Sequence, residues 1–529
     1  MNWLDRCLVP RSKLVNFVVV AFFSVALSCL LIGSQIFRAN WGIIDDHEVF
    51  FFLGPSLDLP VGDIWATLLA KTEVGTLQGR FRPSFYLLKV IETSLFGANV
   101  HLWYLSNAIA FAIFLGSIWW VLRPFVGGWL SGAITGSISL LPMWSDVWSR
   151  LGPSEIYGAA CVGIMIFAAN SILLDDNHRV RNLSAIALAL ATIVLVGLKE
   201  TFIPLAAGSF VILILAGIKR RLPLPLIGVV ALLIVVCLGG IGLVVIRQMR
   251  AAGTDFYGNA AGPWLTIKFG IMGVVDALRK TWWLFAFRII VFWTFGLLRG
   301  KPAGSWIPES KDAVAAYGFI IAMYAAQCAL YRSTFPQNSR YDFPAMLLVP
   351  IACCILVGEI CQKARRELSE RTVEYAQLTV AGFLFLTLTV HLARVPPLVA
   401  AVKMNIKVTN RFHDELLRLV RAAKESPESP VILDAYGPVA YEPVYSLLRY
   451  IPALGAKNII SVRFHPDKNI SGPFYDALQQ RLSNLQQAST EGLTPLLTVL
   501  NDRALGCLSV GIDGAPDAAC SGFEMQVRP

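Results

Sequence analysis

The sequence predicts an α-helical polytopic membrane protein with about eleven transmembrane helices, followed by a C-terminal soluble α/β domain. Three observations support this class. Of the 529 residues, 56% are hydrophobic and only 15% are charged, and the mean hydropathy is +0.61. A soluble chain of this size would carry about a quarter charged residues. The apolar residues form long runs, which end at a change of composition near Arg394–Pro397.

The apolar runs contain few or no acidic residues, and several lie at the short end of the roughly 17–25 residues that a helix needs to cross a bilayer. We therefore expect some paired or broken helices. The runs cover residues 14–37, 102–122, 126–141, 156–174, 183–198, 201–218, 222–246, 282–298, 313–331, 343–360 and 376–392.

The distribution of Lys and Arg predicts the orientation of these helices. One set of short loops carries sixteen of these residues, and the opposite set carries four. Because cytoplasmic loops are enriched in Lys and Arg, the N-terminus is expected in the cytoplasm of a bacterial inner membrane. With eleven spans the C-terminal domain is then periplasmic. Cytoplasmic loops and anionic headgroups also account for the net charge of +10, so no nucleic-acid partner is expected.

Two regions are predicted along the chain. Residues 1–395 form the transmembrane region, with large external loops at 38–101 and 247–281, and residues 396–529 form the periplasmic domain. Alternating and helical patterns predict its elements. Helices are expected at 412–423, 441–454 and 475–487, and strands at 431–434 and 459–464.

Cysteine usage says little about mechanism. Eight of the ten Cys residues lie at or near the apolar runs or on the cytoplasmic side, whereas Cys507 and Cys520 lie in the external domain. A disulfide between these two is expected there, because the periplasm is oxidising. The chain has no Cys-x-x-Cys pair, which argues against a zinc site of that kind.

Four consecutive ionisable residues follow the first apolar run, from Asp45 through Asp46 and His47 to Glu48. Such a cluster beside a membrane is expensive unless it is solvated or used. In a functional role, Asp45 or Asp46 would take a proton from an acceptor hydroxyl. Asp46, His47 and Glu48 could hold a divalent cation, Mg²⁺ or Mn²⁺. In a structural role, the cluster would be a solvated loop end, and the sequence favours neither.

Further charged residues fall in other external loops. Each alone is explained by helix capping or by an interfacial anchor. Together, cations that bind phosphate and carboxylates that move protons are what a phosphate-linked substrate needs. The candidates for substrate binding are Arg82, Glu155, Lys199, Glu200, Arg340 and Tyr341.

These motifs resemble those of the GT-C glycosyltransferase superfamily, polytopic enzymes that use polyprenyl-phosphate-linked sugars. The Asp45–Asp46 pair follows the first span, where the superfamily has its catalytic acidic residue. Gly79–Pro83, Lys199–Glu200 with Pro204, and Arg340–Tyr341 with Pro344 are similar to elements of the protein O-mannosyltransferase branch. The sequence departs from many relatives at His47–Glu48, where they carry an aromatic residue.

The resemblance implies an integral membrane glycosyltransferase that acts on the periplasmic face. Its donor would be a polyprenyl-phosphate-linked sugar, its acceptor a hydroxyl of a glycan or lipid, and transfer would invert the anomeric centre. Two alternatives remain: a flippase or transporter for a lipid-linked glycan, and a ligase that uses a diphosphate-linked glycan. The absence of a visible internal repeat disfavours the transporter.

Overall fold

A computed structural model describes most of the membrane region and part of the C-terminal domain. The described residues are 13–43, 45–54, 56–76, 81–126, 128–141, 144–252, 263–299, 311–331, 340, 343, 397–428, 431–466, 473–485, 498–499 and 525–526. The predicted run at 376–392, the run at 343–360 apart from Phe343, and the Cys507–Cys520 pair lie outside them. The described helices are α1 Lys13–Ile32, α2 Ser34–Arg38, α3 His47–Phe52, α4 Ile64–Lys71, α5 Glu73–Thr76, α6 Pro83–Phe96, α7 Val100–Val126, α8 Gly128–Ser139, α9 Ser145–Trp148, α10 Glu155–Leu174, α11 His178–Val196, α12 Ala206–Ile218, α13 Leu224–Ala252, α14 Pro263–Arg299, α15 Lys311–Tyr331, α16 Pro397–Glu425, α17 Tyr441–Ala453 and α18 Pro473–Leu485.

The chain is a polytopic membrane protein, as its composition predicts. Within the described residues, six helices are long and apolar enough to cross a membrane. They coincide with six of the predicted runs. The six spans are Val15–Ile32, Val100–Arg123, Glu155–Leu174, His178–Val196, Glu200–Ile218 and Leu224–Gln248. The run at 126–141 contains only the twelve-residue helix α8, which is shorter than a complete span.

Small residues allow the first helices of the bundle to pack closely. A Cβ added at Gly116 of α7 would lie 3.3 Å from Ser24 Oγ of α1, and one at Gly163 of α10 would lie 3.0 Å from the Cα of Phe114. Close backbone approach of this kind is how membrane helices associate in the absence of a hydrophobic driving force. Both contacts bring α1 and α10 against α7.

The described residues of the external loop expected at 247–281 are helical. Helix α13 continues to Ala252, and residues from Pro263 onward belong to the single helix α14, which ends at Arg299. Charged side chains such as Asp276 interrupt the hydropathy signal but do not break a helical backbone. Asp276 accepts a hydrogen bond of 2.7 Å from the Tyr324 hydroxyl of α15, and this contact gives the carboxylate a polar partner within the helix pair.

The first external loop is built from short helices that fold back on the bundle. Pro83 occupies the first turn of α6, where its missing N–H is not needed. The amides of Ser84 and Phe85 both donate to the carbonyl of Gly197, which follows α11. This connection places Arg82 beside the Lys199–Glu200 segment. Gly97, with φ of 54°, ends the helix in a conformation that favours glycine.

The C-terminal domain has the predicted α/β character. Strands β1 Val431–Tyr436 and β2 Ile460–His465 pair in parallel, and α17 connects them. With the short strands β3 Thr498–Val499 and β4 Met525–Gln526 they form a sheet of order β2-β1-β3-β4, in which β3 and β4 are antiparallel. The strands at 431–434 and 459–464 and the three helices are thus confirmed within one or two residues, except that α16 begins much earlier, at Pro397.

The C-terminal domain shares one hydrophobic core with the first external loop. Trp41 and Phe50 of that loop are buried in the same cluster as Phe412 and Tyr450. The ring of Tyr450 lies edge-on to Phe50 at 4.7 Å and to Phe412 at 5.6 Å. Helix α16 also contacts the bundle, where the Asn405 amide donates to Gln35 and to the Tyr104 hydroxyl, both at 2.9 Å. The domain therefore packs directly over the acidic cluster.

Candidate functional site

Asp45 is the accessible carboxylate of the acidic cluster. Its backbone has φ of 67°, a left-handed conformation that Asp tolerates better than most residues. Its side chain is 38% exposed, and Oδ2 lies 3.9 Å from a guanidinium nitrogen of Arg340. The Arg340 side chain is itself 18% exposed. The structure thus brings together two predicted site residues that are almost three hundred positions apart in the chain.

Asp46 has a different environment, although it is adjacent in sequence. It is only 4% exposed, and its Oδ2 accepts a hydrogen bond of 2.7 Å from the Gly42 amide. Burial raises the pKa of Asp46 to about 7, and the neighbouring Asp45 adds to the effect. The Gly42 amide and the positive charges of Lys89 and Arg150 act in the opposite direction. The carboxyl of Asp46 therefore links the two ends of the backbone segment 42–46.

The remaining two members of the cluster are also enclosed. His47 Nδ1 lies 2.7 Å from the Ser446 hydroxyl of the C-terminal domain, and burial lowers the pKa of His47 to about 4. Burial raises the pKa of Glu48 to about 7, and the negative charge of Asp45 contributes. At neutral pH, His47 is therefore uncharged and Glu48 is only partly ionised.

The expected divalent-cation site receives no support from the geometry. Within the described part of the chain, no three His, Cys, Asp or Glu side chains are grouped so that they could hold a metal ion. Asp46 is directed at the Gly42 amide and His47 at Ser446. Asp46, His47 and Glu48 therefore do not form a shared coordination site in this arrangement.

Arg340 connects Asp45 to a second acidic residue, Asp146. The Arg340 amide donates to Asp146 Oδ2 at 3.3 Å, and its Nε lies 3.8 Å from the same oxygen. The other oxygen, Oδ1, accepts a 2.6 Å hydrogen bond from Arg150, one helical turn further on. The Arg150 carbonyl in turn accepts from the Asn107 amide at 3.1 Å. Asp146 thus lies between two guanidinium groups.

Two buried ion pairs join the remaining predicted residues. Lys199 Nζ donates to Glu155 Oε1 at 2.6 Å, and both side chains are almost fully buried. Arg82 binds Glu200 in a bidentate manner, with distances of 3.1 Å and 3.0 Å. Arg340 also acts electrostatically on Glu155. Bidentate, charge-assisted contacts are the strongest hydrogen bonds that side chains form.

The charged groups of these ion pairs, which we call the network, balance in formal charge. Four are carboxylates and four are cations. They are Asp45, Asp146, Glu155 and Glu200, and Arg82, Arg150, Lys199 and Arg340. Of the predicted residues, Tyr341 lies outside the described part of the chain. A negatively charged ligand entering this network would find cations already oriented but already neutralised.

Lys89 is a residue that the sequence analysis did not single out. It is 5% exposed, and its ammonium group donates to the Leu151 carbonyl at 3.0 Å. The same group lies over the rings of Trp103 at 4.8 Å, Tyr157 at 5.5 Å and Phe85 at 5.9 Å, as cation–π contacts do. The signal in the sequence was a lysine on the apolar side of an amphipathic stretch at 85–95.

Two solved structures are similar to this chain over nearly its whole length. The crystal structure of ArnT from Cupriavidus metallidurans in the apo state covers 94% of this chain and 95% of that chain, with 16% identity and a TM-score of 0.45. The structure of ArnT from the same organism bound to undecaprenyl phosphate covers 94% of each chain, with 15% identity and a TM-score of 0.41. ArnT is a GT-C glycosyltransferase, a member of the superfamily that the sequence motifs resemble.

No protein-family model matches the sequence, and no curated protein sequence matches it.

Proposed function

We propose that this protein is an integral membrane glycosyltransferase that transfers one sugar from a polyprenyl-phosphate donor to a hydroxyl of a glycan or lipid acceptor. The observation that carries the proposal is the pairing of an accessible carboxylate, Asp45, with an accessible guanidinium, Arg340, at one end of the helix bundle. An inverting transfer needs a base for the nucleophile and a cation for the leaving phosphate, and both are in reach of one substrate.

Of the two residues of the acidic pair, Asp45 and not Asp46 is the proposed base. A hydroxyl is a poor nucleophile at neutral pH, so removal of its proton as the new bond forms accelerates transfer. The acceptor oxygen bonds to the anomeric carbon, the bond from that carbon to the phosphate oxygen breaks, and the proton passes to Asp45. Asp46 is unsuited to this role because it is buried and bound to Gly42.

Arg340 is the proposed contact for the donor phosphate. Its two ion-pair distances of 3.8 Å and 3.9 Å are longer than the other pairs of the network, so exchange of a carboxylate for a phosphate oxygen is least disruptive here. Lys199 and Arg82 are held by Glu155 and Glu200 and would supply positive charge next to the phosphate without changing partner. Cations fixed before the reaction stabilise the charge that develops on the leaving group.

The proposed setting is the periplasmic face of a bacterial inner membrane. The asymmetry of Lys and Arg supports that orientation, and it makes the lipid bilayer and a lipid-linked donor the natural partners. The C-terminal domain would then be periplasmic, together with the acidic cluster that it covers.

Sugar transfer by the purified protein in lipid vesicles tests the proposal. With a polyprenyl-phosphate-linked sugar and a glycan or lipid acceptor, Asp45→Asn should lower the rate about 10²–10⁴-fold, since Asn keeps the shape and removes the base. Asp63→Asn is the control, because Asp63 is an exposed aspartate of the same external loop. A near wild-type rate for Asp45→Asn would exclude the base assignment.

The same assay separates the two alternatives. Activity only with a diphosphate-linked glycan would identify the ligase. Movement of lipid-linked glycan across the vesicle membrane, without formation of a new glycosidic bond, would identify the flippase.

A further inference from the structure

One helix of the C-terminal domain, α17, is bonded to the backbone next to Asp45. The Tyr450 hydroxyl donates to the Gly42 carbonyl at 2.7 Å, and the Ser446 hydroxyl donates to the carbonyl of Ile43. Tyr450 and Ser446 are four residues apart and fully buried, so both lie on one face of the helix. Tyr450 and Ser446, one helical turn apart, therefore bind the adjacent carbonyls of Gly42 and Ile43.

Ser446 also defines how His47 is held on the other side of Asp45. The Ser446 hydroxyl is within hydrogen-bond distance of the carbonyls of Ile43 and Glu442, and its oxygen lies 2.7 Å from His47 Nδ1. Burial lowers the pKa of His47 to about 4, so the imidazole that contacts Ser446 is neutral at pH 7. Ser446 therefore contacts residues on both sides of Asp45.

The backbone of Asp45 requires this support. A left-handed backbone is unfavourable for a residue other than glycine, and such a conformation persists only where the surrounding structure enforces it. Attachments at Gly42 and Ile43 on one side and at His47 on the other enforce it here. The Asp46 carboxyl closes the same loop from within by accepting from the Gly42 amide.

We propose that Ser446 and Tyr450 are positioning residues of the active site, through which the C-terminal domain holds Asp45 in its reactive orientation. This inference rests on the proposed function, because Asp45 is its base. The domain is then a working part of the catalytic centre, and its displacement would switch off transfer without altering any group that touches the substrates.

The experiment compares Tyr450→Phe and Ser446→Ala with Tyr445→Phe in the full-length protein in lipid. Tyr445 lies on the same helix, stacks on Tyr441, and has no hydroxyl hydrogen bond among the described contacts. Tyr445→Phe is therefore the same chemical change at a neighbouring position. Tyr450→Phe is the milder of the two test variants, since its ring packing on Phe50 and Phe412 is kept.

Two measurements are made on each variant: the kcat and KM of sugar transfer, and the deuterium uptake of peptides that cover residues 40–50 and the C-terminal domain. We expect Tyr450→Phe and Ser446→Ala to lower kcat about tenfold to a hundredfold, as small misplacements of reacting groups do. The KM for the donor should stay within about twofold. Deuterium uptake should rise at residues 40–50 only.

The inference is overturned if Tyr450→Phe gives the kcat of Tyr445→Phe, or if its uptake at residues 40–50 is unchanged. A rise in uptake spread over the whole C-terminal domain would also overturn it, because that result indicates a role in folding alone. Absence of sugar transfer in the wild-type protein would reject the proposed function, while the uptake at residues 40–50 would still show whether α17 holds the loop.

Discussion

The backbone of Gly152 lies directly against the side chain of Asp45. A Cβ added at Gly152 would be 2.2 Å from the Cβ of Asp45 and 2.7 Å from its Oδ2. Real carbon atoms do not approach so closely, so any side chain at position 152 must displace Asp45. Position 152 therefore requires glycine, because the Asp45 side chain occupies the volume that a Cβ would fill.

The first prediction follows from this contact. Gly152→Ala should lower the rate of sugar transfer about a hundredfold, because a displacement of the base by about 1 Å is enough for an effect of that size. Gly62→Ala is the control, since Gly62 lies in the external loop that contains Asp45 and a Cβ added there meets nothing within 4 Å. Both rates are measured with the purified proteins in lipid. Equal rates for the two variants would show that Asp45 does not act from this position.

The second prediction concerns the pH dependence of stability. The pKa of Asp46 is raised from 3.8 to about 7 in the folded protein, chiefly by burial. Between these values the folded state binds more protons than the unfolded state, so this carboxyl stabilises the fold fully below about pH 4 and loses that contribution as the pH rises through 7. Asn at this position carries no titrating proton and can still accept from the Gly42 amide.

Thermal unfolding of wild type and Asp46→Asn from pH 4 to pH 8 checks it. The melting temperature of Asp46→Asn relative to wild type should increase with pH over that interval. Asp63→Asn should show no such trend, because Asp63 is exposed. A constant difference between wild type and Asp46→Asn would contradict the raised pKa.

The third prediction separates structural from catalytic roles of the Lys199–Glu155 pair. Lys199→Ala alone leaves Glu155 buried without its partner and should destabilise the fold by about 3–5 kcal/mol. The double variant Lys199→Gln/Glu155→Gln replaces the ion pair by two neutral amides that can hydrogen-bond to each other. It should regain most of the stability but stay well below the wild-type rate, because the positive charge beside the donor phosphate is gone.

Melting temperatures and transfer rates of both variants are the measurements. Full activity in the double variant would mean that the pair serves the fold alone.

The fourth prediction concerns Lys89, whose hydrogen bond to the Leu151 carbonyl holds the residue before Gly152. Lys89→Met keeps the length of the side chain and its contact with the aromatic rings, but removes the bond. The transfer rate should fall about tenfold, since the support of Asp45 is loosened and the positive charge that acts on Asp46 and Glu48 is lost.

Lys71→Met is the matched control for Lys89→Met. Lys71 also donates to a backbone carbonyl, that of Phe51 at 2.9 Å, and lies over the Phe51 ring. Its side chain is exposed, however, and Phe51 is not a residue of the network. Equal activity of the two lysine variants would leave Lys89 without a role in the reaction.

Hydropathy and periodicity predicted the parts of this structure that depend on neighbours in the chain. The six spans, strands β1 and β2 of the C-terminal domain and the helix at Tyr441–Ala453 all follow from local patterns. The prediction failed at residues 263–281, where charged residues hid a helix that continues into the next apolar run. Hydropathy measures how favourably a side chain is transferred from water into lipid. A helical backbone can continue through residues for which that transfer is unfavourable, so low hydropathy does not mark the end of a helix.

By itself the sequence determined the membrane class, the C-terminal α/β domain and the acidic cluster, because these are properties of composition and short-range order. Only the tertiary structure decided that Asp45 is accessible and Asp46 is buried. It alone paired Lys199 with Glu155 and Arg82 with Glu200, and placed Tyr450 on the Gly42 carbonyl. These contacts join residues that are 44 to 408 positions apart in the chain. The packing of the helices against one another determines which of these residues meet. The local sequence around each residue carries no information on that packing.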